Sequence, residues 1–185
     1  MSNICSTAIQ FYGNESLLTN LFKKLSSEIS LSDLAGEFDI EFSPNERNGF
    51  IECVDYEQHR VWQSDDWLPH MEIWHKIIDR YYVDENGDRL VDFCYMSEEF
   101  GCGVYINTDE SGEYFPELYR VEFCVEDTCD TIYFESTADL LDWFEKIFEV
   151  RTDNVNDLER IAASYINADE GEYFTLGIFT NEEGL

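Results

Sequence analysis

The chain has 185 residues, 44% of them hydrophobic and 16% aromatic. So much bulky apolar material excludes a disordered acidic tail, whose composition is charge without aromatics. Against 41 Asp and Glu stand only 11 Lys and Arg, a formal net charge of −30, and a surface so anionic excludes direct binding to nucleic acid or to a bare membrane, because it repels phosphates and acidic lipid heads.

Ile4–Tyr12 alternates, with Cys5, Thr7, Ile9 and Phe11 on one face, and is predicted as a first strand. Gly13 interrupts it and Asn14 caps the next element. Leu18, Leu21, Phe22, Leu25 and Ile29 then recur at helical spacing, which predicts an amphipathic helix over Glu15–Ile29. A polar stretch holding Gly36, Pro44 and Gly49 leads to strands at Phe50–Tyr56 and Arg60–Gln63. Pro69 opens a second helix that runs through Tyr82, with Ile73, Ile77, Ile78 and Tyr81 as its stripe. Asp84–Asp88 is a turn by composition.

The second half is rich in strands. Leu90–Met96, Gly103–Asn107, Leu118–Val125 and Thr131–Phe134 are predicted as an antiparallel meander with turns at Ser111-Gly112 and Asp127–Cys129. Thr137 caps a third helix whose Leu140, Leu141, Phe144, Ile147 and Phe148 make a wide apolar stripe. Asp153–Ile166 is a weaker fourth helix and Tyr173–Phe179 a last strand. No Pro-rich or Gly/Ser-rich linker intervenes. The expectation is therefore a single α+β domain over residues 1–185, with an antiparallel sheet built largely from residues 50–135 and helices packed on one face.

Met1–Cys5 carries no basic-then-apolar secretory pattern and no apolar run approaches the ~20 residues of a membrane span, so a cytoplasmic location is expected. Cys5, Cys53, Cys94, Cys102, Cys124 and Cys129 form no Cys-x-x-Cys pair, and several lie in apolar strands. In that compartment all six are expected as reduced, mostly buried thiols.

Asn3 to Gly13 reads Asn-x-Cys-x-x-x-Ile-x-Phe-x-Gly, joined directly to a helix. Farther on come Ser97-Glu98-Glu99-Phe100-Gly101-Cys102-Gly103 and Tyr105-Ile106-Asn107-Thr108-Asp109. Over residues 3–29 and 72–125 the chain resembles the ferredoxin-like family of small accessory proteins carried by phages and mobile elements of gut bacteria. It lacks that family's Trp-Gly-Thr-Lys segment. The resemblance implies an elaborated ferredoxin-like α/β sandwich of phage or mobile-element origin, and no activity or catalytic residue.

Residues with chemistry are numerous and weakly ordered. Asn107, Asp109 and Ser111 with Gly112 occupy the first positions of an EF-hand loop, but its twelfth position is Leu118, so the ligand register fails and an acidic turn is expected. Tyr105–Phe115 has a near-copy one residue shorter at Tyr165–Phe174, read either as two similar acidic turns or as a pair of knuckles offered to one partner. His70 and His75, five apart, do not share a helix face as a metal pair would, and His59 stands apart. There is no nucleophile elbow, Walker loop or Rossmann fingerprint, and adjacent acids such as Asp65/Asp66 carry little information among so many. Trp74 belongs with the helical core, and Trp62 and Trp67 are either core or contact residues. No enzyme, metal or cofactor is expected.

These features together suggest an interaction protein whose acids imitate phosphate and occupy the cationic groove of a basic nucleic-acid-handling enzyme in the host cytoplasm. A phage origin makes that enzyme an RNA-guided nuclease, hence an anti-CRISPR role, or a restriction enzyme. The expected partner-binding residues are Glu98, Glu99, Asp109, Glu110 and Glu113, with Asp169, Glu170 and Glu172 extending the patch if the two turns meet. Tyr105, Tyr114 and Phe115 supply the apolar anchors. The alternatives are an accessory protein kept soluble by its charge, and a metal-dependent binder or enzyme using the acidic turns.

Overall fold

Residues 3–41, 49–126 and 128–181 are described by the structure, a computed structural model. Pro44 and Asp127 lie outside them. The chain divides into two compact units, one running through Asp109 and the other Glu110–Asn181.

The first unit is built on strand β1, Ile4–Gly13, whose alternation buries Cys5, Thr7, Ile9 and Phe11 as its sequence requires. Helix α1, Glu15–Phe22, starts at Asn14, whose side chain accepts from the Leu17 N–H. It stops well before Ile29. Ser26 and Ser27 favour turns over helix interiors, and Glu28 takes a left-handed φ of 64°. Ile29 is then free to pair with Ile51 in a short strand β2, Ile29–Ser30. Helix α2, Leu31–Glu37, is absent from the sequence reading although Leu31, Leu34, Ala35 and Phe38 keep helical spacing and Ser30 caps it. At seven residues it is too short for a periodic window.

Strands β3, Phe50–Asp55, and β4, Arg60–Asp66, form a hairpin, and α3, Glu72–Tyr81, comes next. Strands β5, Val91–Glu99, and β6, Val104–Asn107, complete a six-stranded sheet of order β2-β3-β4-β1-β5-β6. Every pairing in it is antiparallel. Apolar residues of all three helices share one core with Ile9, Phe11, Val61, Phe93 and Tyr95, so the helices cover one face. Trp74, fully buried, packs edge-on against Phe11 at 5.0 Å between ring centroids.

The second unit has its own sheet and core. Strands β7, Tyr119–Val125, β8, Thr128–Phe134, and β9, Tyr173–Ile178, lie in the order β8-β7-β9, again antiparallel. Helix α4, Thr137–Phe148, is capped by Ser136 rather than Thr137, and lays Leu140, Phe144 and Phe148 on Val121, Phe123 and Phe174. The weak fourth helix shrinks to a 3-10 turn at Val155–Asp157 and α5, Leu158–Ala162. Edge strand β9 is guarded by Glu159, whose Oε1 accepts from the Leu176 N–H at 3.0 Å.

The α+β class, the antiparallel pairing and the one-sided helices agree with the sequence reading. The single sheet over residues 50–135 does not. Its strands separate into two sheets because Ile106 faces the first core and Val121 and Phe123 the second. The six thiols are also corrected: Cys124 and Cys129, directly opposite in the β7–β8 hairpin, are disulfide-bonded, while Cys5, Cys53, Cys94 and Cys102 are free. Cross-strand pairing brings their Cα atoms to 4.0 Å. No helix among the described residues is long and apolar enough to cross a membrane.

Candidate functional site

The start of β1, the end of β4 and the end of β5 meet at one end of the first sheet. Cys5 pairs with Asp65 across β1 and β4, and Thr7 with Gln63 on one side and Ser97 on the other. The helix-covered face is thus apolar at one end and polar at this one. Trp74 Nε1 donates to Gln63 Oε1 and Gln63 Nε2 to Asp65 Oδ2, both at 2.7 Å. The Thr7 and Ser97 hydroxyls lie 2.8 Å apart. Asp65 is 2% exposed, and its Oδ1 has no hydrogen-bond partner among the described residues. Burial pushes its pKa up to about 6, against the Gln63 amide and the His70 charge and N–H, which favour the carboxylate. Any Cβ on Gly49 would overlap Asp65 Oδ1, so only glycine fits there.

Glu99 belongs to this end. It is 3% exposed and its carboxylate accepts the backbone N–H groups of Gly101 and Cys102, closing the turn after β5. A Cβ on Gly101 would stand 2.6 Å from Asn3 Nδ2 and would displace that side chain. The Asn3 carbonyl accepts the Trp67 N–H at 3.0 Å. These motif residues therefore build an architectural clasp. The Cys5 thiol is not activated by its acidic neighbours: burial first, then the Asp65 carboxylate, push its pKa up to about 12. Burial raises Cys94 likewise, to about 12.

The expected partner-binding residues are shared between the two units. Glu98, Glu99, Tyr105 and Asp109 lie in the first unit, and Glu110, Glu113, Tyr114, Phe115, Asp169, Glu170 and Glu172 in the second. Glu99 is corrected to a buried turn clasp, and Phe115 to a buried residue, 4% exposed, so neither is presented at a surface. Glu98 and Tyr105 are half-buried, facing each other across β5 and β6. The Asn107 side chain accepts the Asp109 N–H at 2.9 Å, forming an Asx turn. Among the described residues no three His, Cys, Asp or Glu side chains are grouped to hold a metal ion.

The two similar acidic turns do not meet. Residues 110–118 lead into Tyr119, which pairs with Ile178, and Asn181 Nδ2 donates to Glu110 Oε1 at 2.7 Å. Residues 165–172 lead into Tyr173, which pairs with Cys124 at the other end of β7. Five residues of strand, about 17 Å, separate these ends. Glu172 is also committed: it accepts the Glu126 N–H at 2.9 Å and the Asn167 N–H at 2.6 Å, and these bonds hold its pKa below the usual range. Of the Glu170 side chain nothing is described.

A more regular array of acids, missed by the sequence reading, lies on α4. Asp139, Asp142, Glu145 and Glu149 are all exposed, opposite the buried Leu140, Phe144 and Phe148. At 1.5 Å of rise per residue Asp139, Asp142 and Glu145 stand about 4.5 Å apart along the axis, within roughly a third of the circumference, and Glu149 follows at the left-handed C-cap with φ 55°. The phosphates of one DNA strand advance about 3.4 Å per residue. This spacing of three, three and four was legible in the sequence once the helix was placed. Lys146, exposed four residues after Asp142, offsets one of these acids, while Lys76, Arg80, Arg89, Arg120 and Arg160 each pair with a carboxylate of their own unit.

No protein-family model matches the chain, and no curated protein or solved structure matches it.

Proposed function

We propose that this is an acidic interaction protein of a phage or mobile element that inhibits a host nucleic-acid-binding defence enzyme by occupying its cationic groove. The enzyme is an RNA-guided nuclease or a restriction enzyme, and the encounter takes place in the host cytoplasm. The observation that carries the reading is the exposed row of Asp139, Asp142 and Glu145 on α4, continued by Glu149 at its C-cap. A row of exposed carboxylates steers a Lys/Arg-lined channel into contact and raises the association rate. In the first unit, β1, α1, β3, β4, α3 and β5, with β2 and α2 inserted after α1, run as β-α-β-β-α-β with strand order β3-β4-β1-β5. That order supports the ferredoxin-like part of the proposal.

The test is binding of the parent and of D142K/E145K/E149K to a panel of RNA-guided nucleases and restriction endonucleases, with duplex DNA or guide RNA as competitor. The parent is expected to compete with nucleic acid and to associate more slowly as salt rises. The reversed protein is expected to associate at least about tenfold more slowly, with a flatter salt dependence. Equal inhibition by both proteins across the salt range would refute the role of this helix.

A further inference from the structure

We propose that the cavity at the C-terminal end of α4 receives an arginine side chain of the cationic partner, an inference that rests on the function proposed above. The cavity measures about 650 Å³ and lies wholly within the second unit. That size is in the range of ligand pockets, roughly 300–1,000 Å³. Phe123, Val125 and Phe148 line it with apolar surface. Tyr165, 58% exposed, stands at its edge with its ring 6.3 Å from that of Phe148.

Most of the charge around this apolar lining is negative. Glu126, Glu149 and Glu172 line the cavity from three different segments. Glu172 is fixed there by the Glu126 and Asn167 N–H groups, which also keep it ionised. Glu126 takes a left-handed φ of 49° at the hairpin and spends its N–H on that contact. The last turn of α4 forms another wall, and the carbonyl end of a helix carries partial negative charge. Lys146 is also at the rim, which among the described residues leaves three carboxylates against one ammonium. A guanidinium suits this better than an ammonium, because its plane stacks on an aromatic face while its edge bridges a carboxylate. The exposed acids of α4 lead to the cavity, since Glu149 belongs to both. The ladder thus attracts a basic surface and the cavity holds one residue of it.

The experiment is an NMR titration of the isotope-labelled full-length protein with N-acetyl-arginine methylamide, beside the lysine and citrulline analogues. The expected result is saturable shifts at Val125, Glu126, Phe148 and Glu172 with arginine, weaker ones with lysine and none with neutral citrulline. Tyr165→Ala and Glu149→Gln, both at exposed positions, are each expected to weaken arginine binding about threefold. Absence of saturable shifts, or equal shifts with citrulline, overturns the proposal. Either result leaves nuclease inhibition by the α4 ladder untouched, and failure of the nuclease assay leaves this titration unaffected.

Discussion

Replacing Asp65 with Asn should reveal a carboxylate that the fold destabilises when it is charged. Asp65 is almost fully buried, and its pKa of about 6 stands above the ordinary 3.8. The native state therefore holds a proton that the unfolded chain has released between these values, and stability falls as pH rises through that window. The full cost is about 1.4 kcal/mol for each of roughly two units, near 3 kcal/mol, reached above the folded pKa. Close to half of it develops between about pH 5 and pH 7.5, a range that avoids the isoelectric region. Asn keeps an oxygen for the Gln63 and His70 donors and places an NH2 group where Oδ1 has no partner, a penalty independent of pH. The informative quantity is the wild-type stability minus that of Asp65→Asn, since the other acids cancel in the difference. Urea unfolding followed at the Trp74 indole N–H, which bonds Gln63 in the same chain of contacts, reads the first unit specifically. The difference should decline with rising pH by the stated amount. A flat difference, or one that grows in favour of the wild type, would show that Asp65 titrates normally and that the argument from its burial is wrong.

Thiol titration of the denatured, unreduced protein should return four free groups, and six after reduction; six without reductant would remove the Cys124–Cys129 bond. Glu99→Ala strips the acceptors from two backbone N–H groups and should cost about 1–3 kcal/mol in chemical denaturation, whereas an exposed recognition residue would change stability by less than about 0.5 kcal/mol. Carboxyl NMR on acidification should find Asp84, Asp157 and Glu172 among the last to protonate, because hydrogen bonds favour their charged forms. The stability that those three contribute is present above their unfolded pKa values and is lost as pH falls through the lower folded ones.

Where one face of an element is buried, its period was enough to find it. Cys5, Thr7, Ile9 and Phe11 in β1, and Leu140, Phe144 and Phe148 in α4, were legible because alternation and helical spacing are local properties of the chain. The class and the extreme acidity were legible for the same reason. Short elements and sheet membership were not. Strand β5 extends to Glu99, past the last apolar residue that marks it, and its pleat turns Ser97 and Glu99 inward and leaves Glu98 outward. Two neighbouring acids that look alike in sequence thus have opposite fates, decided by three residues of additional pairing with β1 and β6. Cys124 and Cys129 became partners only through the register of a hairpin whose β8 strand, exposed along most of its length, carries little apolar signal before Ile132. The similar turns at 105–115 and 165–174 could not be placed by likeness, because their separation is set by the length of β7 running between them. Composition and period are written in the order of residues, and they determined what kind of elements form and how strongly the surface is charged. Which strands share a sheet, which acids are withdrawn from water and which carboxylates gather around an apolar hollow depend on contacts between distant segments, so only the tertiary structure decided them.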